Sequence, residues 1–316
     1  MTTTIVLFFL GLGLLSGGAD FLVKSSSSLA LRLGIRPLII GFTIVAMGTS
    51  FPELSVSFLS AVRGTKSIAL GNVIGSNIAN IGLIIGLAAL IKPLKIHVNT
   101  IRKEMPYLIV TTVIFYFLSL DGKIGRLDGI ALLSAFFVFM GYMLRMARQD
   151  RKSEQKFFND VAGQKRTRSL SVEILLMIAG LAALLAGSTM LVNSAQVIAL
   201  RLGISEIVIG VTLVAVGTSL PELAVSCLGA WKGEVDLAVG NVVGSNLFNI
   251  LFIIGFVALF FPIPVQTGLL KFDYPVMLLF AVIFLPMMIS GKSISRLEGC
   301  ILLVIYTIYI WLIFNK

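Results

Sequence analysis

Two glutamates stand inside otherwise apolar stretches, in seven-residue runs that match each other closely. Glu53 belongs to GTSFPEL at residues 48–54, and Glu222 belongs to GTSLPEL at residues 217–223. A charged side chain at the centre of a membrane helix costs at least about 2.5 kcal/mol, so such residues mark functional sites. Two neighbouring carboxylates repel each other unless protons or a cation lie between them. Because a divalent ion cancels both charges and Ca²⁺ prefers oxygen ligands, this pair predicts an intramembrane Ca²⁺ site.

The residues that precede each glutamate supply more oxygen atoms. A threonine and a serine lie four and three residues earlier, so on a continuous helix they share its face; they are Thr49, Ser50, Thr218 and Ser219. Pro52 and Pro221 have no N–H to donate to the carbonyls of Gly48 and Gly217. Carbonyls freed at membrane depth persist only where they line a cavity or bind something. We therefore expect a cation to use them.

A second pair of matched runs, GNVIGSNIAN at 71–80 and GNVVGSNLFN at 240–249, carries a polar stripe. Its polar residues recur every four positions and so follow one helical face; they are Asn72, Ser76, Asn80, Asn241, Ser245 and Asn249. Such residues bind ions in some membrane proteins and only join helices in others. For Asn72 and Asn241 both interpretations are open.

Asp20 ends the first apolar run, but its counterpart in the second half of the chain is Thr189. It therefore has no matched carboxylate. We expect Asp20 to lie near the membrane interface or to cap a helix locally, with Lys24 as an ion-pair partner four residues on.

The composition predicts a membrane protein. Hydrophobic residues make up 57% of the 316 residues and charged residues only 13%, against about 25% charged in soluble domains. The net charge of +10 does not indicate nucleic-acid binding, because eight of the 25 Lys and Arg lie between Arg145 and Arg168 in one polar stretch. A cytoplasmic loop beside an anionic lipid leaflet explains that cluster.

The chain contains an internal sequence repeat, whose two copies match at a constant offset of 169 residues. Shared hydrophobicity cannot explain the matched Thr, Ser, Pro, Glu and Asn, so we infer internal duplication. We predict an all-α polytopic fold of ten transmembrane helices, as two inverted five-helix repeats at 1–146 and 171–316 joined by a basic cytoplasmic loop at 147–170. The predicted spans are 3–30, 38–61, 68–91, 105–120, 126–146, 171–199, 207–230, 237–260, 272–290 and 296–314.

The distribution of basic residues predicts the orientation. Five spans per unit is an odd number, so the second copy begins on the opposite side of the membrane from the first. With the N-terminus outside, 17 Lys and Arg fall on the inner side and seven on the outer side. The positive-inside rule then places both termini outside and the central loop in the cytoplasm.

Both pairs of motifs resemble those of the cation/calcium exchangers, which include the sodium/calcium exchangers and their prokaryotic relatives. The motifs G-T-S-x-P-E and G-S-N-x-x-[ND] each occur twice, and the resemblance covers essentially the whole chain. It implies that Glu53 and Glu222 bind Ca²⁺ with the backbone oxygens of Thr49 and Thr218, and that Asn80 flanks the site. It also implies Na⁺ sites built from Ser50, Ser76, Ser219, Ser245 and the carbonyls of Ala46 and Ala215.

Asn249 departs from the family pattern, because many members have Asp at this position. An amide keeps the shape of a protonated carboxyl group but cannot titrate. Proton coupling and potassium dependence are therefore both placed in doubt.

The function expected from these features is Na⁺/Ca²⁺ antiport by alternating access, in the inner membrane of a prokaryote. A H⁺/Ca²⁺ or K⁺-dependent exchanger is the alternative in the same class, and a cation channel is a rival from another class. An intramembrane enzyme lacks a nucleophile–base pair, and two protonated glutamates that only join helices are the structural alternative. We expect the protein to lie in a lipid bilayer, to bind no cofactor and no nucleic acid, and to function as a monomer. Its expected substrates are Ca²⁺ and either Na⁺ or H⁺.

Overall fold

The computed structural model describes residues 2–96, 100–153, 169–202 and 215–315, and most of them are helical. The α-helices of the first half are α1 (Thr2–Leu33), α2 (Pro37–Ile40), α3 (Ala46–Thr49), α4 (Phe51–Val62), α5 (Ser67–Ala79), α6 (Gly86–Ile91), α7 (Met105–Leu118) and α8 (Arg126–Ser153). Those of the second half are α9 (Leu170–Arg201), α10 (Ala215–Thr218), α11 (Leu220–Lys232), α12 (Val235–Leu247), α13 (Gly255–Phe260), α14 (Tyr274–Ile289) and α15 (Arg296–Phe314). Wider π-helical turns occupy Gly41–Val45, Asn80–Ile85, Thr100–Glu104, Phe248–Ile254 and Leu269–Asp273.

Several helices are long and apolar enough to cross a bilayer. Within the described ranges seven continuous helices meet this condition, and the pair formed by 37–49 and 51–62, bent by 42°, makes an eighth candidate. These eight coincide with eight of the ten predicted spans. The fourth predicted span, 105–120, contains the shorter α7, and the seventh, 207–230, begins among residues that the structure does not describe.

The largest difference between a predicted boundary and the structure is at the end of the fifth span. The fifth span was expected to end at residue 146, but α8 continues to Ser153. The added segment contains Arg148, Gln149, Arg151 and Lys152, all good helix formers that need no apolar contact to extend a helix already started. The rest of the expected basic loop, 154–168, lies outside the described residues.

The third span of each half lies at the centre of the molecule. Of its most apolar 18 residues, 72% are buried in Ser67–Ile91 and 83% in Val235–Phe260, against 28% in α1 and 17% in α15. The exposed faces of α1 and α15 carry large apolar side chains such as Phe9 and Trp311, as expected where lipid surrounds a protein. Every residue of the two polar stripes is therefore buried in protein except Asn72, which is half-buried.

Two short antiparallel strand pairs join the halves. The strands are β1 (Leu94–Lys95), β2 (Lys123–Ile124), β3 (Ile263–Pro264) and β4 (Ser293–Ile294). β1 precedes α7 and pairs with β4, which follows α14; β2 follows α7 and pairs with β3, which precedes α14. The equivalent helices α7 and α14 therefore run antiparallel.

The two longest helices, α1 and α9, pack on each other through glycines. A Cβ added to Gly18 would overlap the main-chain nitrogen of Leu184, and one added to Gly187 would overlap that of Leu15. Gly11 and Gly180 make similar contacts, with a main-chain nitrogen 2.8 and 2.9 Å from the added atom. Small residues let membrane helices approach this closely.

An ionic contact connects α1 to α11. Asp20 accepts from Lys24 Nζ at 2.7 Å, which confirms the predicted pair, and it also contacts Lys232 at the end of α11. Lys232 is 212 residues away in sequence, so the periodicity of α1 gave no sign of it.

Gly18→Ala tests the α1–α9 contact. We expect a loss of roughly 1–3 kcal/mol in stability, because the added methyl group forces two backbones apart, and a lower melting temperature in detergent. Gly17→Ala is the matched control, since a Cβ there meets nothing within 4 Å. Equal melting temperatures for the two variants would contradict the packing described here.

Candidate cation site

Each second span is broken next to its glutamate. The backbone leaves the helical region at Ser50 (φ −82°, ψ 12°) and at Ser219 (φ −88°, ψ 7°), and a proline follows two residues later in the first turn of α4 and of α11. Proline is favoured in a first turn but ends the helix before it. The expectation of one continuous helix with Thr, Ser and Glu on the same face is therefore wrong.

The breaks place both glutamates in the first turn of a helix. Glu53 and Glu222 are each only 1% exposed. The N-terminus of a helix carries partial positive charge, so the ends of α4 and α11 favour the carboxylates that lie there. Ser50 and Ser219 each contact the glutamate of the other half. The two buried carboxylates therefore lie near each other.

Serines from opposite halves hold the two carboxylates. Ser50 Oγ donates to Glu222 Oε1 at 2.9 Å, and Ser219 Oγ donates to Glu53 Oε1 at 3.2 Å. Each serine thus donates to the glutamate of the other half, because the helix break directs it away from the glutamate of its own half. Ser76 Oγ donates to Glu53 Oε1 at 3.4 Å and lies 3.2 Å from Ser219 Oγ.

The second oxygen of each carboxylate has no hydrogen-bond partner among the residues that the structure describes. Glu53 Oε2 and Glu222 Oε2 are both inaccessible to solvent, and so are the unpartnered Oδ1 atoms of Asn80 and Asn249. Leaving a buried acceptor without a partner costs about 1–3 kcal/mol, and more where it is charged. These four acceptor atoms are suited to a cation.

Asn72 and Asn241 support the glutamate helices. Asn72 Nδ2 donates to the Glu53 carbonyl at 3.1 Å and to Ser57 Oγ at 2.9 Å. Asn241 Nδ2 makes the equivalent contacts, at 3.5 Å to the Glu222 carbonyl and 3.0 Å to Ser226 Oγ. Their amide donors are thus used in holding α4 and α11, which favours the packing interpretation for both.

The remaining predicted residues lie in or beside the same region. Thr49 is buried and donates to Asn241 Oδ1 at 3.1 Å, across the two halves. Thr218 is buried, and Ser245 lies beside Glu222 without reaching hydrogen-bond geometry. The Ala46 carbonyl accepts from Ser50 N at 3.0 Å and from Thr49 Oγ1 at 3.3 Å. The backbone of Ala215 begins α10.

The carbonyl of Gly217 accepts a hydrogen bond from Ser188 Oγ of α9 at 3.2 Å. One of its two lone pairs is therefore used by a donor from α9. The counterpart of Ser188 in the first half is Ala19, which has no hydroxyl group.

Two further asparagines, Asn77 and Asn246, were missed by the sequence interpretation. Each is buried and hydrogen-bonded to residues of the opposite half. They lie off the stripe of every fourth residue, which is why periodicity did not select them. The sequence feature that could have identified them is the G-S-N motif, which occurs in both halves and has these asparagines as its third residue.

Comparison with known proteins identifies the family. The model of the family described as sodium/calcium exchanger protein matches residues 3–145 and 172–315, which is nearly the whole chain in two segments. The chain belongs to the sodium/calcium exchanger family. It is therefore a transporter rather than an enzyme, as the sequence predicted.

Individual proteins are similar to this chain over most of their length. The sodium/calcium exchanger MaX1 of Methanosarcina acetivorans is 32% identical over 99% of both chains. The inner membrane protein YrbG of Escherichia coli is 39% identical over 90% of this chain and 88% of its own. A solved structure of the sodium-calcium exchanger NCX_Mj superposes with a TM-score of 0.84 at 32% identity and covers 97% of both chains.

Ser50→Ala tests the bond between the halves. Without the Ser50 hydroxyl, Glu222 loses its donor across the repeat boundary, and we expect about fivefold to tenfold weaker apparent affinity for transported Ca²⁺. Uptake of ⁴⁵Ca²⁺ into proteoliposomes measures this. Ser55→Ala is the matched control, because Ser55 is a half-buried serine of α4 that donates to the carbonyl of Phe51 of its own helix. An affinity change equal to that of the control would rule out the assigned contact.

Proposed function

We propose that this exchanger is a secondary active antiporter that moves Ca²⁺ in one direction and Na⁺ in the other by alternating access. The observation that carries the proposal is the buried pair Glu53 and Glu222, each with one carboxylate oxygen left without a donor. Two such charges in one protein interior need a cationic counter-charge. Here the cation is the substrate.

The chemistry of the donor atoms favours Ca²⁺ and Na⁺. Every available donor is a hard oxygen, and Ca²⁺ takes six to eight of these, carboxylates included. One Ca²⁺ cancels both glutamate charges. Na⁺ has a similar radius and uses the same kinds of oxygen, so the two ions compete for one site. That competition is the physical basis of exchange.

The proposed ligands are the predicted ones. The Ca²⁺ site is built from the two glutamates, the backbone oxygens of the two threonines and the flanking amides; these are Glu53, Glu222, Thr49, Thr218, Asn80 and Asn249. The Na⁺ sites draw on four serines and two carbonyls; these are Ser50, Ser76, Ser219, Ser245, Ala46 and Ala215. For Ser50 and Ser219, the support is their hydrogen bonds to the glutamates.

We also propose ten spans in two inverted repeats, 1–146 and 171–316, joined by a cytoplasmic loop at 147–170. The strand pairings support inversion, because they join the start of α7 to the end of α14 and the end of α7 to the start of α14. The exchange of Ser50 and Ser219 between the two glutamates has the same symmetry. The basic-residue distribution favours an inner membrane, with both termini outside.

The proposed moving element is the pair α1 and α9. These helices contact each other along a glycine-lined crossing, whereas the glutamates and the third spans lie in the buried centre. A change of access then needs the pair to slide past a bundle that keeps its ion ligands. The same arrangement functions within one chain, so a monomer suffices.

Asn249 bears on the driving ion. Its amide offers an oxygen and has no proton to release, so this position cannot carry protons during transport. We therefore favour Na⁺ over H⁺ as the coupling ion, with the two glutamates left as the only carboxylates among the proposed ligands. A H⁺/Ca²⁺ exchanger using those glutamates and a K⁺-dependent exchanger remain the alternatives.

Flux measurements test the coupling ion. Proteoliposomes loaded with Na⁺ and diluted into Na⁺-free ⁴⁵Ca²⁺ buffer should accumulate Ca²⁺, and a sodium ionophore should abolish the uptake. Vesicles with an imposed pH gradient and no Na⁺ serve as the comparison, with and without K⁺. Uptake driven by the pH gradient alone would select the proton alternative, and Ca²⁺ leak without any counter-ion would indicate a channel.

Glu53→Gln and Glu222→Gln test the site itself. Each variant keeps the side-chain shape and removes one of the two charges that balance Ca²⁺, so we expect Ca²⁺ uptake at least about tenfold lower at limiting Ca²⁺. Glu234→Gln is the control, since Glu234 precedes α12 and lies outside the site. Normal uptake by both site variants would remove the proposed function.

A further inference from the structure

Four buried asparagines form a closed cluster where the third spans cross. Asn77, Asn80, Asn246 and Asn249 are each no more than 2% exposed. Asn80 Nδ2 donates to Asn246 Oδ1 at 2.8 Å, and Asn249 Nδ2 donates to Asn77 Oδ1 at 3.0 Å. Both contacts cross from one half of the chain to the other, and neither joins residues of the same helix.

The direction of these hydrogen bonds determines which end of each side-chain amide, the oxygen or the nitrogen, has no hydrogen-bond partner. A side-chain amide has one end that accepts and one that only donates. Because the Nδ2 atoms of Asn80 and Asn249 are occupied, their Oδ1 atoms remain, buried and without a partner among the described residues. A cation needs the oxygen end, and a flipped amide would present two N–H groups that repel it.

We propose that Asn77 and Asn246 are positioning residues that hold the amides of Asn249 and Asn80, respectively, with the oxygen toward the transported cation. This rests on the proposed function, in which Asn80 and Asn249 are ligands. Asn77 and Asn246 do not touch the ion themselves. Each acts only through the asparagine that it accepts a hydrogen bond from.

The positioning residues are themselves fixed by the backbone. Asn77 Nδ2 donates to the Asn246 carbonyl and Asn246 Nδ2 donates to the Asn77 carbonyl, both at 3.3 Å. A main-chain carbonyl accepts and never donates, so it sets the amide of each positioning residue with nitrogen toward the backbone and oxygen toward the ligand asparagine. The backbone carbonyls therefore fix the side-chain amides of Asn77 and Asn246, and these fix the side-chain amides of Asn249 and Asn80.

The pairing across the halves makes the proposal specific. Asn77 lies three residues from Asn80 on the same span but orients Asn249, 172 residues away. A role limited to local helix packing would instead couple Asn77 to Asn80. Double-mutant cycles separate the two cases, because they measure which pairs of residues are coupled.

Replacement of the ligand amide by a carboxylate is the probe. A carboxylate has an oxygen at both ends, so it needs no orientation. We expect Asn77→Ala to raise the KM for ⁴⁵Ca²⁺ uptake about tenfold with little change in kcat. In an Asn249→Asp background the same Asn77→Ala change should raise KM less than twofold. In an Asn80→Asp background it should again raise KM about tenfold.

The outcomes separate this proposal from the proposed function. An inactive wild-type protein under every gradient would overturn the function itself. An active wild-type protein with an equal Asn77→Ala effect in all three backgrounds, or with rescue by Asn80→Asp in place of Asn249→Asp, would overturn the positioning role alone. If Asn77→Ala is not monodisperse on size exclusion, Asn77→Ser replaces it in the same cycles, because it also removes the acceptor Oδ1.

Discussion

Two carboxylates that share a dry interior cannot both be charged without compensation, and the rest of this molecule is arranged around that constraint. Glu53 and Glu222 lie among apolar helices where water cannot screen them. A helix N-terminus and one cross-repeat serine stabilise each glutamate, yet one oxygen of each remains without a donor. The site is therefore stable with a cation and strained without one, which suits a carrier that must never cross the membrane empty.

Neither half of the chain makes a complete site. Ser50 belongs to the first repeat and serves the glutamate of the second, and Ser219 does the reverse. The asparagine cluster and the two strand pairs are shared in the same way. The proposed duplication with inversion accounts for this exchange, because a two-fold relation brings every residue next to the opposite copy of its neighbour.

The sequence predicted residues that the structure brings together around the two glutamates, but it did not predict their hydrogen-bond partners. The offset of 169 residues identified both glutamates, and helical periodicity identified the polar stripes. Periodicity assumes an unbroken helix, so it placed Ser50 on the same face as Glu53. The helix is broken at Ser50, and its hydroxyl group donates to Glu222 instead. Asn77 was missed for a related reason. It lies in the G-S-N motif, but its hydrogen-bond partner Asn249 belongs to the other half, and no local pattern shows that contact.

The hydrogen bond from Ser188 to the Gly217 carbonyl bears on the balance between the two access states of the proposed transport cycle. If the two repeats were identical, exchange of their roles would convert an outward-facing state into an inward-facing one of equal free energy. Ser188 stabilises the break of one repeat, and Ala19 gives the other no such bond. One hydrogen bond contributes roughly 1 kcal/mol, about a fivefold difference in population. Under the proposed alternating access, the outward-facing and inward-facing states of this chain are therefore unequal in free energy, by about the contribution of this one bond.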